Sequence, residues 1–336
     1  MPFRTSSPLV FFGTLLLSFL LFGVHCVQPE WRNASELCKD AASKTGQPFE
    51  VRDTFETLPR IYDCFLFHDE ADMLEIRLNE LHNIVDYFVV LESAYTFTGL
   101  PSRLVFSDVA ERFTHFSSQI IHVVVDDLPT EGDAWAKEEI LRNTLLSSGL
   151  YQPGKEVQAG DIIIVADVDE IIKPSVLKSL KYCKGYDGKH IRFQPKFFYY
   201  AFCFSVQETW QHPDATIFVN KELLMDATSL RRSGDPSLVV PDAGWHCSYC
   251  FATLEAFRGK LHAFSHQEYG GNPSFHVRSH LVGSIRNGLD LFNRNDLKMV
   301  YTEPEDIPEY VGSNPDRFAY MLDRRGRTAG FKDYLE

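Results

Sequence analysis

Four runs of continuous apolar residues, separated by helical patterns, constrain the fold of this chain more than any other feature. The runs predict buried strands at 61–67, 87–91, 120–125 and 161–166. A helix is predicted after Glu70, with Leu74, Leu78 and Leu81 on one face and Asp69 or Asp72 as its cap, and another over 134–146. Apolar strands that alternate with helices are typical of a parallel sheet covered on both faces. We therefore expect an α/β domain with a Rossmann-type, mostly parallel sheet and helices on both faces.

Polar side chains follow these strands where a ligand would bind, since open α/β sheets bind ligands beyond the carboxyl ends of their strands. They are His68 and Asp69, Glu92 and Ser93, Asp126 and Asp127, and the tetrad 167–170. Asp167 and Asp169 stand two residues apart after a buried strand and can face one crevice. Carboxylate oxygens suit Mg²⁺ or Mn²⁺, ions that also bridge phosphates. An acidic turn before a helix at Pro174 is the structural alternative.

The same tetrad also resembles the start of a haloacid-dehalogenase-like phosphatase motif, with Asp167 as the nucleophile. That class would place the motif on an early strand, whereas here it follows the fourth predicted strand. A phosphatase is therefore the alternative enzyme class.

The N-terminus predicts entry into the secretory pathway. Residues 9–27 form an apolar stretch without charge, preceded by Arg4, and predict a signal-anchor helix after a cytosolic tail at 1–8. A polar stem at 28–60 and a lumenal domain at 61–336 would follow. A cleaved signal peptide is the alternative and would make the protein secreted. Asn33 begins the chain's N-glycosylation sequon.

The cysteines fit an oxidising lumen. Six of the seven lie beyond the apolar stretch and permit disulfides, but their pairing stays open. Cys247 and Cys250, followed by His262 and His266, nearly match the spacing of a zinc finger. A net charge of -13, from 33 basic against 46 acidic residues, argues against nucleic acid as a partner. A disulfide or packed thiols, and structural histidines at 262, 266, 276 and 280, are therefore expected.

The pattern changes after about Gly185. The segment that follows is rich in aromatic residues and is expected to be irregular, with the aromatics from Phe197 to Trp210 mainly in the core. These rings are also suited to stacking on sugars.

Several segments in order resemble glycosyltransferase family 17. They are 70–81, 89–93, 133–135 with 141–142, 161–171 and 244–251. The resemblance covers roughly residues 60–292. It implies a GT-A-like fold, a divalent metal (Mn or Mg), and a single-pass type II Golgi membrane topology. It also implies transfer of N-acetylglucosamine from UDP-GlcNAc to a glycoprotein glycan, in β-1,4 linkage to a β-mannosyl residue of an N-glycan.

Roles for individual residues follow from the chemistry that the resemblance implies. Departure of UDP builds charge that a metal ion can stabilise. We assign Asp169 as the direct metal ligand, Asp167 to the metal or the donor ribose, and His246 as a third ligand.

Other residues are expected to touch the donor or to move the proton. Glu92 and Ser93 are candidates for nucleotide contacts, and Arg142 for offsetting diphosphate charge. A β-linked product from an α-linked donor requires inversion, in which a carboxylate takes the acceptor proton. The candidates for this base are Asp242, Glu255 and Glu170. A non-catalytic lumenal glycan-binding protein is the remaining alternative.

Overall fold

The computed structural model describes residues 33–53, 56–294 and 297–334. The predicted tail and anchor lie outside these residues. Within the described ranges, no helix is both long and apolar enough to cross a bilayer. Asn33 is exposed and stands immediately before the first helix.

Helices and strands alternate in the first half of the chain, as the sequence predicts. The helices are α1 (Ala34–Thr45), α2 (Ala71–Leu81), α3 (Val105–Val109), α4 (Ala134–Gly149), α5 (Pro174–Tyr182), α6 (Ala227–Arg232), α7 (Leu254–Ala263), α8 (Gln267–Gly270), α9 (Arg278–Arg286), α10 (Glu309–Ser313) and α11 (Ala319–Leu322). The strands are β1 (Glu50–Val51), β2 (Ile61–Leu66), β3 (Tyr87–Ser93), β4 (Ile120–Val125), β5 (Ile162–Asp167), β6 (Glu170–Ile172), β7 (Cys183–Lys184), β8 (His190–Tyr199), β9 (Ala201–Val206), β10 (Asp214–Ile217), β11 (Leu238–Ser248) and β12 (Met299–Tyr301). Short 3-10 helices cover Ala110–Phe116 and Pro273–His276.

The main sheet is mixed rather than mostly parallel. Its order is β12-β9-β8-β10-β5-β2-β3-β4, with β11 and β6 joined beside β8. The four predicted strands β5, β2, β3 and β4 are confirmed and run parallel. Beyond β5 the pairs β5/β10, β10/β8, β8/β9 and β9/β12 are antiparallel. Since Tyr200 alone connects β8 to β9, with a φ of 69°, no crossover is available and that pair must be antiparallel.

The expectation of an irregular segment after Gly185 is wrong. Strands β8, β9 and β11 occupy much of it, and β11 runs parallel to β8. The inward and outward residues of these strands are both apolar, as at Phe197 and Phe198, so the alternation that marks a half-exposed strand is missing.

Both faces of the parallel strands β2, β3 and β5 are covered, as predicted, whereas the edge strand β4 is only half buried. Cys64 and Val89 belong to the apolar cluster under α4, whereas their chain neighbours Phe65 and Val90 belong to the cluster under α2. A third, largely aromatic cluster fills the space between β8, β9 and α7. These clusters hold the sheet in place, and with it the edge at which the parallel strands have their carboxyl ends.

The cysteines in the described part of the chain form two disulfides. The Cys38–Cys183 disulfide ties α1 to β7, and α1 packs on α5. The segment predicted as a stem at 28–60 therefore contains folded structure, since α1 lies within it. Cys247 and Cys250 form the second disulfide, while Cys64 and Cys203 are buried free thiols.

Candidate active site

The acidic turn at 167–170 is held from beneath by one arginine. Arg77 of α2 is fully buried and donates through Nη1 to the carbonyl oxygens of Asp167, Val168 and Glu170, at 2.9, 3.2 and 2.8 Å. Asp63 of β2 neutralises this guanidinium through a bidentate pair at 2.7 and 2.5 Å. The buried guanidinium of Arg77 thus fixes the backbone that carries Asp167 and Asp169.

A cleft of about 790 Å³ opens above this turn, at the carboxyl ends of β2, β3 and β5. Asp167 stands in its wall, where Oδ1 accepts from Arg142 at 2.8 Å and Oδ2 from Arg231 at 3.0 Å. Burial by itself would raise the pKa of Asp167, but the two guanidiniums outweigh it and hold this pKa far below the usual range. A carboxylate whose two oxygens are held by arginines is a weak nucleophile. This arrangement argues against the alternative in which Asp167 is the nucleophile of a phosphatase.

Glu170 lies under the floor of the cleft. It is fully buried, and its carboxylate accepts from Arg231 at 2.7 and 3.0 Å and from the Trp210 indole at 2.8 Å. Burial opposes ionisation, yet Arg231 keeps the pKa of Glu170 below its usual value. Its oxygens are used to orient Arg231 and Trp210.

His246 reaches Asp169 because β11 pairs with β6. In that register His246 lies opposite Glu170, and Gly244 opposite Ile172. A Cβ at Gly244 would stand 2.1 Å from the carbonyl oxygen of Ile171, so only glycine allows the approach. The His246 ring stacks on Phe197, with centroids 4.8 Å apart and planes 7° from parallel.

Asp169 and His246 form a pair suited to a metal ion. His246 Nε2 lies 3.7 Å from Asp169 Oδ2, beyond hydrogen-bond range, and His246 Nδ1 is buried without a hydrogen-bond partner. An oxygen and a nitrogen side by side match the ligands that Mn²⁺ accepts. Among the described residues, no group of three or more metal-ligating side chains comes together. An ion at this pair would therefore take its remaining ligands from substrate and water.

Lys260 of α7 faces the same cleft. It pairs with Glu70 at 2.6 Å, and the fields of Glu70 and Asp169 raise its pKa although burial acts in the opposite direction. Glu70 also accepts from the backbone N–H groups of His68 and Asp69, at 3.2 and 3.1 Å. The N-cap position of α2 is Glu70, and its side chain makes no capping hydrogen bond to the helix, so the predicted cap at Asp69 or Asp72 is wrong.

The cleft is less acidic than the protein as a whole. Six basic side chains line it in the described part of the chain: Arg142, Arg192, Arg231, Arg232, Lys260 and Arg294. Six acidic side chains line it as well: Glu70, Glu138, Glu139, Asp167, Asp169 and Glu208. Across the whole sequence the ratio is 33 to 46. The formal charges in the cleft lining therefore balance, whereas the whole chain is acidic.

Ser93 and Arg142 line the cleft, as the predicted donor contacts should. Glu92 points elsewhere, since it is fully buried and its carboxylate accepts from the Phe106 N–H and from His122 at 3.0 Å. Its chain neighbour Ser93 has the opposite orientation, as strand alternation requires.

The three predicted bases do not face the cleft. Asp242 is exposed, bonds Lys173 at 2.8 Å and is absent from the cleft lining. Glu255 is exposed in the first turn of α7, also outside the lining. Glu170 is sealed beneath the floor.

The cysteine and histidine motif forms no zinc site in the described residues. Cys247 and Cys250 are joined to each other. The His262 ring stacks on His276 at 4.3 Å, and the Nε2 atoms of His276 and His280 contact carbonyl oxygens. The preferred structural interpretation of this motif is confirmed.

Sequence reasoning missed Arg77, Arg231 and His212, and it named Trp210 only among aromatic residues expected mainly in the core and suited to stacking on sugars. Arg77 carried a signal, because it is a charged residue on the apolar face that Leu74, Leu78 and Leu81 define. Trp210 and His212 lie in the connection between β9 and β10, which has no periodic pattern that would place it at the cleft.

Comparisons with known proteins agree with the resemblance found in the sequence. The family model described as glycosyltransferase family 17 matches residues 47–324. The chain is 26% identical to the β-1,4-mannosyl-glycoprotein 4-β-N-acetylglucosaminyltransferases of Homo sapiens and Rattus norvegicus, over 89% of this chain and 62% of those proteins. It thus spans under two thirds of the length of these relatives. Among solved structures, the mannosyltransferase PcManGT from Pyrobaculum calidifontis, in complex with GDP-Man and Mn²⁺, matches with a TM-score of 0.35 and 12% identity, over 77% of this chain and 70% of that one.

Proposed function

The chain belongs to glycosyltransferase family 17, and from that premise we propose that it moves N-acetylglucosamine from UDP-GlcNAc to a glycan. The proposed acceptor is a β-mannosyl residue of an N-glycan, in β-1,4 linkage, because the curated relatives are named for that transfer. The observation that carries the proposal is the juxtaposition of Asp169 and His246 in a cleft with six basic side chains.

The donor diphosphate would bind near the acidic turn. Lys260 keeps a positive charge there, and Arg231 presents its guanidinium from the wall. Because Asp167 already accepts from Arg142 and Arg231, its role is to hold these two guanidiniums in place. Ser93 at the end of β3 is the proposed polar contact to the nucleoside.

A divalent cation held by Asp169 and His246 would supply Lewis-acid stabilisation of the charge that builds on the departing diphosphate. The residues around the pair exclude water from one side. Phe197 and Trp210 cover the His246 ring, with Trp210 at 4.2 Å between ring centroids. Their packing leaves the Nε2 edge facing Asp169.

We further propose that the protein acts in the lumen of the secretory pathway, as a type II Golgi membrane protein. The Cys38–Cys183 and Cys247–Cys250 disulfides support an oxidising compartment.

The test is a transfer assay with purified protein, UDP-GlcNAc, Mn²⁺ and an N-glycan acceptor that has a free β-mannosyl 4-hydroxyl. We expect a product one N-acetylhexosamine heavier, formed with Mn²⁺ and lost with a chelator. UDP-galactose and GDP-mannose serve as matched donor controls. Transfer from either control donor but not from UDP-GlcNAc would refute the donor assignment. Glycan binding without transfer from any donor would support the glycan-binding alternative instead.

A further inference from the structure

We propose that His212 is the general base that takes the proton from the acceptor hydroxyl, and that Asp214 positions its ring. This inference rests on the proposed function. His212 lies in the connection 207–213 between β9 and β10, which contributes Glu208, Trp210 and His212 to the cleft wall. None of the three bases expected from the sequence faces that cleft.

Asp214 is a fully buried carboxylate at the start of β10. Its Oδ1 accepts from His190 Nε2 at 2.7 Å and from Arg192 Nε at 2.9 Å, and its Oδ2 accepts from His212 Nδ1 at 2.7 Å. Burial would raise the pKa of Asp214, but the bonds from His190, His212 and Arg192 outweigh it and lower this pKa. The carboxylate is therefore ionised and acts only as an acceptor.

The ionised state of Asp214 fixes the tautomer of His212. Because Asp214 cannot donate, the hydrogen of this 2.7 Å bond resides on His212 Nδ1. A neutral imidazole with its proton on Nδ1 has a bare lone pair on Nε2. The same arrangement of a buried carboxylate behind a histidine orients the base in hydrolytic triads.

The bare nitrogen belongs to a ring that reaches the cleft. The His212 side chain is 26% exposed and lines the cleft, and its described hydrogen bond uses Nδ1 alone. Trp210 contacts both the His212 ring, at 5.9 Å between centroids, and the His246 ring, at 4.2 Å. Trp210 therefore lies between His212 and the proposed metal pair, and all three contribute to the lining of the same cleft.

The other cleft carboxylates are less suited to this task. Glu70, Glu138, Glu139 and Asp167 are each paired with a lysine or an arginine. A carboxylate held by a cation is a weaker base, since the cation stabilises its ionised form. Glu208 is exposed on the same connection, and no hydrogen bond or ion pair to another described residue orients it, so it is the natural residue for comparison.

In the proposed step, the acceptor oxygen forms a bond to the anomeric carbon while His212 Nε2 takes the hydroxyl proton. The bond from the anomeric carbon to the phosphate oxygen breaks, and the nucleoside diphosphate leaves with that electron pair. The imidazolium of His212 then returns its proton to solvent. The configuration at the anomeric carbon is inverted.

The experiment compares His212→Gln with the control Glu208→Gln in the purified full chain. We expect His212→Gln to lower kcat for glycan transfer by roughly 100-fold to 10,000-fold, the usual contribution of a general base. Calorimetric binding of UDP-GlcNAc with Mn²⁺ should stay within threefold of wild type. Glu208→Gln should lower kcat much less than His212→Gln does. In His212→Ala, added imidazole should restore part of the lost rate, an effect that a purely structural role would not give.

Asp214→Asn tests the positioning role. We expect kcat to fall while the KM values for donor and acceptor change little, because an asparagine can reverse the tautomer of His212 without removing its ring. A variant that raises both KM values with kcat unchanged would overturn that role, and if Asp214→Asn does not fold, the His212 variants decide the inference.

Three results would overturn the assignment of His212. They are wild-type turnover in His212→Gln, a loss of donor binding that matches the loss of rate, and a larger loss in Glu208→Gln. Failure of the wild type to transfer from any nucleotide sugar would refute the proposed function itself, before any variant is compared.

Discussion

Replacing Arg77 by methionine should damage both stability and transfer, because one buried side chain holds the acidic turn. The substitution leaves Asp63 buried without its partner and removes the donor shared by three carbonyl oxygens. Removing one partner of a buried ion pair costs roughly 3–5 kcal/mol. We expect the free energy of unfolding to fall by about that amount in urea titrations followed by tryptophan fluorescence.

A double variant separates the stability effect from the catalytic one. Asp63→Leu combined with Arg77→Met removes both charges, and replacement of a complete buried pair by apolar residues is often close to neutral. We expect it to recover more than half of the lost stability. Transfer should stay at least tenfold below wild type, because the carbonyls of Asp167, Val168 and Glu170 still lack their donor.

Arg112→Met is the matched control, since Arg112 is 38% exposed and pairs with Asp72 and Glu75 at the surface. Its cost should lie within about 1 kcal/mol. A loss below about 1 kcal/mol in Arg77→Met, or full activity in the double variant, would refute this account of the turn.

Three further predictions concern other parts of the fold. Gly244→Ala should abolish metal-dependent transfer and lower the melting temperature, because its Cβ would stand 2.1 Å from the Ile171 carbonyl oxygen; wild-type activity would show that β11 need not approach β6 so closely. Cys38→Ser with Cys183→Ser should cost roughly 2–5 kcal/mol in urea unfolding, since the disulfide closes a span of 145 residues; an unchanged midpoint would contradict this. Burial would raise the pKa of Asp72, but Arg317, Tyr320 and Arg112 lower it. Its contribution to stability should therefore be complete above about pH 5 and decline as the pH falls below about 4. Asp72→Asn should flatten that decline in urea midpoints measured at several pH values, and an equally steep decline in the variant would be the contrary result.

The parallel half of the sheet was predictable from local pattern. Strands β2, β3 and β5 are buried on both faces, so each appears in the sequence as a continuous apolar run between helices. Strand β4 lies at the edge of the sheet and is only half buried, but its valines and isoleucines still mark it as a strand. Their carboxyl ends placed Ser93, Asp167 and Asp169 at the cleft correctly.

The antiparallel half was not predictable in the same way. In this half, only the β8/β9 pair joins strands that follow each other directly in the sequence. The antiparallel β10/β5 pair and the parallel β11/β8 pair each join residues about 50 positions apart. The register that brings His246 to Asp169 depends on the close approach of β11 to β6 at Gly244. A single glycine in the sequence does not predict such an approach. The connection that carries Trp210 and His212 has no hydrophobic periodicity. Its position at the cleft is set by the pairing of β10 with β5 and β8, which the sequence pattern does not show.

Arg231 illustrates a second limit. An arginine before a run of polar residues is typical of a solvated surface, yet this one is nearly buried and pairs with both Asp167 and Glu170. The sequence identified Asp167 and Glu170 as candidate site residues. That Arg231 is their counter-ion depends on the tertiary contact between α6 and β5, which the sequence pattern does not show.

The central claim is that Asp169, beside His246, makes this cleft a metal-dependent N-acetylglucosaminyltransferase site. The most direct test is the rate of transfer from UDP-GlcNAc to the N-glycan acceptor, at saturating Mn²⁺, for wild type and Asp169→Asn. Asp242→Asn, on the same protein but outside the cleft, is the control. The account predicts at least a 100-fold lower rate for Asp169→Asn, with an unchanged melting temperature and a control within threefold of wild type. Equal, Mn²⁺-dependent rates in wild type and Asp169→Asn would contradict it.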